Sequence, residues 1–226
     1  MVERWQRVLA QMAEAARRVG REPGSVRLLA VSKLHPAGDV QTLFEVGQTM
    51  FGENYVQEAL AKMALLPREI SWHFIGHLQT NKVKSVVGRF SLVHGVDSLK
   101  LARSLHNQAE ALGVTQDVLV QVNLAGEEQK AGISEADLPG LAEFLAGSAS
   151  LRWQGLMLMP PFFDDPERAR PYFARLRDLA ETLRYGFGMP LPELSMGMTG
   201  DFEAAIEEGA TLVRIGTRIF GERGSN

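Results

Sequence analysis

The chain has 226 residues, of which 45% are hydrophobic and 23% charged, as in ordinary globular proteins. Its formal net charge of -3 gives no electrostatic reason to expect nucleic acid or a membrane surface as a partner. The absence of cysteine excludes disulfides, thiolate nucleophiles and cysteine-ligated zinc.

The first 20 residues predict an amphipathic helix rather than a targeting signal. Apolar residues such as Trp5, Val8 and Met12 recur at helical spacing among charged residues, and Gly20 and Pro23 end the pattern. A secretory signal needs a continuous apolar stretch, and a bilayer-spanning helix needs about 20 apolar residues. Neither is present, so we expect a cytoplasmic protein.

Short apolar segments then alternate with helical ones. The predicted strands are residues 26–32, 50–52, 72–76, 91–95, 117–123, 151–159, 193–196 and 211–216. The predicted helices are residues 37–46, 55–65, 81–87, 99–112, 135–146, 166–185 and 202–208. Such alternation implies parallel strands joined by right-handed crossovers.

Eight strand–helix units favour an α/β fold of the (β/α)8 TIM-barrel type, preceded by an extra N-terminal helix. An open doubly wound sheet is the alternative. No linker, internal repeat or low-complexity tract divides the chain, so we expect one domain spanning residues 1–226. In a barrel, functional residues lie at the carboxyl ends of the strands.

A lysine ends the first predicted strand. The two-residue period places Lys33 on the same face as Leu29 and Val31, just before Pro36. A buried ammonium must be paired, have a lowered pKa or be used covalently, and a deprotonated amine suits Schiff-base chemistry with an aldehyde. A lysine that extends from the strand end into water is an equally good interpretation.

Two glycine-containing loops follow the last two strands. Residues 195–200 and the pair Gly216-Thr217 offer hydroxyls and unhindered backbone N–H groups. Barrels often bind phosphate after strands seven and eight. Either loop alone could be explained as a tight turn or a helix cap. The presence of both loops on adjacent strands favours an anion site.

Arg214 interrupts the otherwise apolar segment 211–216. An arginine inside a barrel keeps its proton and needs an acceptor. That acceptor is either a ligand or a carboxylate in a structural ion pair, and the segment itself favours neither.

The histidines predict no metal site. His73 and His77 are four residues apart, but their segment reads as a strand followed by a loop, so the helical spacing of metal ligands does not apply. We expect His73 and His77 to lie in the core or pocket wall, and His35, His94 and His106 to be structural or surface residues. Motifs for acyl transfer and nucleotide hydrolysis are also missing.

Together, an amine, an anion cradle and a cationic donor suggest pyridoxal 5′-phosphate (PLP) as the ligand. Lys33 would condense with its aldehyde, while Ser195, Gly216 and Thr217 would hold its phosphate. Arg214 would donate to the pyridine nitrogen and keep it unprotonated, which weakens the cofactor as an electron sink. Such a site suits storage, transfer or a restricted chemistry better than broad carbanion catalysis.

Several stretches of the chain match one known family, namely residues 28–33, 51–58, 72–82, 130–132, 155–157, 195–198 and 213–217. On these stretches the chain resembles the pyridoxal phosphate homeostasis proteins, which are single-domain relatives of the alanine racemase barrel. The eleven-residue stretch from Trp72 to Lys82 is the most specific of them.

The resemblance implies which residues bind PLP. Lys33 would carry the cofactor, and Arg214 would face the pyridine nitrogen. The implied phosphate and ring contacts are Ser195, Gly216, Thr217, the backbone of Met198 and Thr199, and, along the ring, Asn54 and Met157. Thr199 stands where many relatives have serine and retains the hydroxyl.

The resemblance also implies a function. The family is implicated in keeping intracellular PLP supplied and bound, with effects on amino-acid and keto-acid balance, and has no established catalytic activity. We expect a monomer that buffers PLP or delivers it to PLP-dependent apo-enzymes. Lys130 is either a second amine near the pocket or a solvated charge, and we favour the solvated charge.

Two enzyme hypotheses compete with this one. A PLP-dependent racemase or isomerase would need a tyrosine base from a second domain, which we expect to be absent because the sequence ends soon after the eighth strand. None of Tyr55, Tyr172 and Tyr185 falls at an obvious strand end opposite Lys33. A Schiff-base aldolase usually carries its lysine on a middle strand, so Lys33 fits PLP better.

Overall fold

The computed structural model of the chain describes residues 1–127 and 131–221, and eight parallel strands there close into a barrel. Each strand pairs with the next in chain order, and β8 pairs with β1. The strands are β1 (Arg27–Val31), β2 (Met50–Glu53), β3 (Ser71–Phe74), β4 (Leu92–Val96), β5 (Gln116–Val122), β6 (Leu151–Leu158), β7 (Glu193–Ser195) and β8 (Leu212–Ile215). The predicted TIM-type barrel is confirmed, and the open sheet is wrong.

Helices surround the barrel. The α-helices of the described residues are α1 (Val2–Arg18), α2 (Ala37–Glu45), α3 (Val56–Met63), α4 (Leu99–Leu112), α5 (Leu138–Ala146), α6 (Arg170–Phe187), α7 (Phe202–Glu207) and α8 (Thr217–Phe220). The predicted helix at residues 81–87 is instead a 3-10 helix, Thr80–Ser85. A separate 3-10 turn, Pro166–Ala169, precedes α6, and the Asp165 side chain caps it by accepting a hydrogen bond from the Glu167 N–H.

The extra helix α1 packs against the end of the chain. Its apolar face, including Trp5, Val8 and Met12, is buried, and α1 contacts both α7 and α8. Arg4 donates to the carbonyls of Ile219 and Phe220 at 2.8 and 2.9 Å. Helix α1 therefore supports the two helices that follow the glycine loops of β7 and β8.

Most of the apolar core lies between the strands and the helices, whereas the barrel interior is partly polar. Buried His73, His94, Ser195 and Arg214 belong to β3, β4, β7 and β8. A small apolar cluster of Leu92, Leu119 and Met157 fills part of the remaining interior. A polar barrel interior is unusual, because branched apolar side chains dominate most TIM-barrel interiors.

No helix in residues 1–127 or 131–221 is long and apolar enough to cross a bilayer. Within the same residues, no group of three or more histidine, aspartate or glutamate side chains is arranged to hold a metal ion.

Candidate functional site

The structure brings most of the predicted site residues to the carboxyl-terminal end of the barrel. Lys33 follows β1, and Asn54 follows β2. Met198 and Thr199 follow β7, and Gly216 and Thr217 follow β8. The other three, Met157, Ser195 and Arg214, lie within strands.

Lys33 lies in a turn rather than on the strand. Strand β1 ends at Val31, so the strand period does not extend to Lys33. The Lys33 side chain is half-buried. The next residue, Leu34, has a φ of 64°, which is uncommon for a residue with a side chain, and its N–H donates to Glu58 Oε1 at 2.6 Å. The turn that presents the amine is therefore held in a strained conformation by α3.

A buried ion cluster holds the other side of this turn. Lys62 Nζ donates to the Ser32 carbonyl, to Glu53 Oε1 and to Glu58 Oε1, each at 2.7 Å. The Ser32 hydroxyl donates to Glu53 Oε1 at 2.6 Å. Burial raises the pKa of the Glu53 carboxyl, while the hydrogen bonds from Lys62 and Ser32 oppose that rise.

No long-range sequence pattern predicts this cluster. The only local signal was the four-residue spacing of Glu58 and Lys62 on one helix, which is typical of exposed ion pairs. Lys62 is only 5% exposed, and Glu53 is completely buried. Their burial arises from the packing of α3 on β2, which the spacing does not encode.

The two glycine loops lie side by side, next to the end of β1. The Thr217 hydroxyl donates to the Thr199 hydroxyl at 3.3 Å and so links the loops. A Cβ atom at Gly216 would lie 3.2 Å from the Val31 carbonyl oxygen, so β8 closely approaches the strand that leads to Lys33. Hydroxyls and small residues therefore gather around the base of the lysine turn.

The loop after β7 needs a glycine at position 197. Gly197 has a φ of 90°, and a Cβ atom there would lie 2.6 Å from the Ala205 Cβ on α7. A side chain at this position would be both strained and too close to the helix. The glycine lets the loop turn tightly over α7.

The backbone of Met198 is engaged within its own turn. Its N–H donates to Asp201 Oδ1 at 2.6 Å, and its carbonyl accepts from the N–H groups of Asp201 and Phe202. Burial raises the pKa of Asp201, while this backbone hydrogen bond opposes that rise. The phosphate contact from the Met198 backbone therefore stays a prediction.

Arg214 lies in the barrel interior and is held by neutral acceptors. It is 4% exposed, and its Nη1 donates to both the carbonyl and the hydroxyl of Ser195 at 2.7 Å. Its Nη2 donates to the Leu158 carbonyl at 2.9 Å. Burial lowers the Arg214 pKa to about 10, and the nearby Asp201 opposes that change.

No carboxylate of the described residues forms an ion pair with Arg214, so the structural ion pair considered from sequence is absent there. These three contacts use three of the five N–H donors of a guanidinium. The side chain keeps donors for a further acceptor, as expected of a cation that binds a ligand.

Ser195 is enclosed in the barrel interior. Its side chain is fully buried, and its hydroxyl lies between Arg214 Nη1 and His94 Nδ1, which is 2.9 Å away. The hydroxyl therefore belongs to the barrel interior, and a direct contact from it to a phosphate stays a prediction.

Asn54 and Met157 have contrasting surroundings. Asn54 Oδ1 is buried and has no hydrogen-bond partner among the described residues. Met157 is completely buried with Leu92 and Leu119, in register with Ser195 on the neighbouring strand. An unsatisfied buried amide oxygen at a strand end can receive a ligand donor. Ring contacts from both residues stay predictions.

His73 and His94 form a buried pair, which sequence reasoning did not connect. Their rings meet inside the barrel, with His73 Nδ1 and His94 Nε2 3.0 Å apart. Burial lowers the pKa of His73 to about 4 and that of His94 well below its usual value, and the positive charge of Arg214 contributes at His94. Lys130, considered as a second amine, lies outside the described residues.

Comparisons with known proteins agree with this architecture. The family profile described as "Alanine racemase, N-terminal domain" matches residues 6–224. The pyridoxal phosphate homeostasis protein of Aquifex aeolicus is 45% identical over 222 residues, covering 98% of this chain and 97% of that protein. Its namesake from Pseudomonas aeruginosa is 46% identical over 218 residues, covering 96% and 93%.

A solved structure is similar over the whole barrel. PipY of Synechococcus elongatus, solved with PLP bound, is 39% identical and superposes with a TM-score of 0.83, covering 93% of this chain and 100% of PipY. The similarity in sequence and in fold extends over nearly the full length. The chain belongs to the pyridoxal phosphate homeostasis proteins, a family built on the alanine racemase N-terminal domain.

Proposed function

We propose that this chain binds PLP as a Schiff base on Lys33 and takes part in PLP homeostasis by buffering the cofactor or delivering it to apo-enzymes. The single observation that carries the proposal is the placement of three complementary groups at one end of the barrel. The turn after β1 offers the amine of Lys33, and the two linked glycine loops offer a place for an anion. The buried Arg214 offers a cation with N–H donors to spare.

The residues present fit this cofactor. Arg214 is a buried guanidinium held by neutral acceptors, so a ligand acceptor would complete its hydrogen bonds. The hydroxyls of Thr199 and Thr217 and the backbone of Gly216 would hold the phosphate, and Asn54 would face the ring. When bound, PLP supplies a reactive aldehyde and a ring that withdraws electrons.

The residues of this chain limit that electron withdrawal. A guanidinium keeps its proton at neutral pH, so Arg214 can donate a hydrogen bond but not a proton to the pyridine nitrogen. The nitrogen then stays unprotonated, and the site favours holding PLP over forming carbanions. The proposal therefore assigns the chain no catalytic reaction, and the relatives are likewise named homeostasis proteins.

The tyrosines of the chain also support a role other than racemisation. Tyr172 stacks on Phe163 at 5.9 Å between ring centres, and Tyr185 is 94% exposed. Tyr55 is 53% exposed at the start of α3. A racemase needs a second base on the opposite face of the cofactor ring, a tyrosine supplied by a second domain, whereas these three tyrosines lie on or beside helices of the barrel itself.

The test is the visible absorption spectrum of the purified protein titrated with PLP. Wild type, Lys33→Ala and the exposed-lysine control Lys84→Ala are compared, followed by borohydride reduction and peptide mass mapping. We expect a Schiff-base band in wild type and the control, with the reduced adduct on Lys33. A protein that stays colourless with PLP would contradict the proposal that the chain binds this cofactor. An adduct on another residue would contradict the proposal that Lys33 forms the Schiff base.

The PLP-loaded protein then distinguishes the carrier hypothesis from the enzyme hypothesis. Incubation with L-alanine, followed by chiral analysis, measures racemisation, and mixing with an apo-enzyme measures transfer by recovery of that enzyme's activity. We expect transfer without significant racemisation. Turnover of alanine at enzymatic rates would instead establish the racemase alternative. The expected monomeric state is checked by light scattering on the same sample.

A further inference from the structure

A line of hydrogen bonds crosses the barrel interior and ends at Arg214. Arg214 Nη1 lies 2.7 Å from Ser195 Oγ, which lies 2.9 Å from His94 Nδ1. His94 Nε2 lies 3.0 Å from His73 Nδ1, and His73 Nε2 lies 3.3 Å from Ser71 Oγ. The line joins β8, β7, β4 and β3, and it uses both nitrogens of each imidazole.

The chemistry of arginine sets the direction of the first two bonds. A guanidinium only donates, so Ser195 Oγ accepts from Arg214. Ser195 is fully buried, and His94 Nδ1 is the acceptor available to its single hydroxyl hydrogen among the described residues. Were His94 the donor instead, that hydrogen would be buried without an acceptor, which is costly. Ser195 therefore donates to His94 Nδ1, which carries no hydrogen.

The remaining bonds follow from the first two. A neutral imidazole carries one hydrogen, so His94 is protonated on Nε2 and donates to His73 Nδ1. By the same argument, His73 is protonated on Nε2 and donates to Ser71 Oγ. A second proton on His73 would set two N–H groups against each other at 3.0 Å. Both rings are thus neutral and share one tautomer.

The charges around the pair favour the same state. Arg214 lies on one side, and Arg27, which pairs with Glu193, lies on the other and also disfavours charge at His73. The negative charge of Asp201 opposes the lowering of the Arg214 pKa, although the two side chains are not hydrogen-bonded to each other. The histidines lie 5% and 0% exposed between these two cations, so a positive ring charge would be repelled and poorly solvated.

We propose that His94 and His73 are positioning residues that fix Arg214 through a hydrogen-bond chain with one proton order. Because the hydroxyl hydrogen of Ser195 is bonded to His94, a lone pair of the hydroxyl oxygen faces the Arg214 guanidinium. The proton order rests on the protein alone. Its effect on ligand binding rests on the function proposed above.

Two substitutions at one position separate positioning from packing. His94→Gln offers an amide oxygen that can accept from Ser195 and an amide NH2 that can donate to His73, so it can preserve the order. His94→Leu fills similar space but offers neither. In His94→Leu the hydroxyl hydrogen of Ser195 has no acceptor. The Ser195 oxygen lone pair is then no longer held toward the Arg214 guanidinium.

The first readout needs no cofactor. Long-range 1H–15N NMR of the labelled protein reports the tautomer and charge of each of its five histidines, assigned with the His73→Gln and His94→Gln variants. We expect His73 and His94 in the Nε2–H tautomer, unchanged from pH 8 to pH 5.5. An Nδ1–H tautomer, or a ring that titrates near pH 6.5, would overturn the proton order.

The second readout is PLP affinity by absorbance titration, with folding checked by thermal melting. We expect His94→Leu to weaken binding about tenfold or more, as for loss of a hydrogen bond to a charged group, and His94→Gln to stay within about threefold of wild type. Equal loss in both variants would overturn the positioning role. If wild type binds no PLP, the proposed function fails, while the NMR result still decides the proton order.

Discussion

Lys62 Nζ lies 2.7 Å from the carbonyl oxygen of Ser32, the residue directly before Lys33. Because Glu58 joins the same ammonium and also accepts from the Leu34 N–H, one buried cluster holds the peptide groups on both sides of the predicted PLP lysine. Lys62 and Glu58 of α3 thus hold the backbone of the turn that carries Lys33.

Lys62→Met should destabilise the protein strongly. The substitution leaves the completely buried Glu53 carboxyl without its cation, which typically costs about 3–5 kcal/mol when one partner of a buried pair is removed. Urea unfolding followed by circular dichroism measures the change. The exposed Lys84→Met is the control and should be near neutral.

Adding Glu53→Gln to Lys62→Met should recover part of that loss, because a neutral amide needs no buried counter-charge. If the double variant is as unstable as Lys62→Met alone, the loss comes from packing and not from the unpaired carboxyl.

Stability should fall as the pH drops below neutrality. The pKa of His73 is lowered from 6.5 to about 4 in the folded protein, so the unfolded chain takes up a proton between these values while the folded protein does not. The contribution of His73 is complete above pH 6.5 and is lost as the pH falls toward 4. It amounts to about 3 kcal/mol.

Unfolding free energies measured at pH 7.5 and pH 4.5 should show this loss in wild type and a smaller one in His73→Gln. The exposed Lys84, which does not titrate in this pH range, provides the control: Lys84→Gln should keep the wild-type pH dependence. An identical slope in all three proteins would contradict the buried neutral state of His73.

Gly197→Ala should weaken PLP binding and lower stability. The left-handed φ and the 2.6 Å approach to Ala205 force the loop after β7 to move, at a cost of about 1–3 kcal/mol. Gly200→Ala is a matched control on the same loop, since a Cβ atom there has no heavy atom within 4 Å. Absorbance titration with PLP and thermal melting compare the two. Equal effects would show that the close approach at Gly197 is unimportant.

Leu34→Asn should stabilise the protein by about 0.5–1 kcal/mol. Leu34 has a φ of 64° and is 54% exposed, so asparagine would tolerate the backbone better while little packing is lost. Leu65→Asn changes a leucine that is 76% exposed and whose φ is not positive, and it should be near neutral. A destabilised Leu34→Asn would show that the leucine side chain contributes packing that outweighs the strain.

The barrel and the order of the main chemical groups around it can be predicted from the sequence alone. Alternating strand and helix patterns predict parallel strands, and the carboxyl ends of parallel strands meet at one edge. The order of residues along the chain therefore places Lys33 and the two glycine loops at that edge. Arg214 was identified because a charge interrupts an apolar strand.

Which side chains contact one another depends on how the barrel closes. His94 meets Ser195, 101 residues away, and Lys62 meets Ser32, 30 residues away, so no local pattern links them. A strand pattern tells which residues share a face, but barrel closure decides which faces meet across the interior. For the same reason, no strand pattern reveals that the Ser195 hydroxyl contacts both Arg214 and His94 and so completes a hydrogen-bond chain between buried rings and a buried cation.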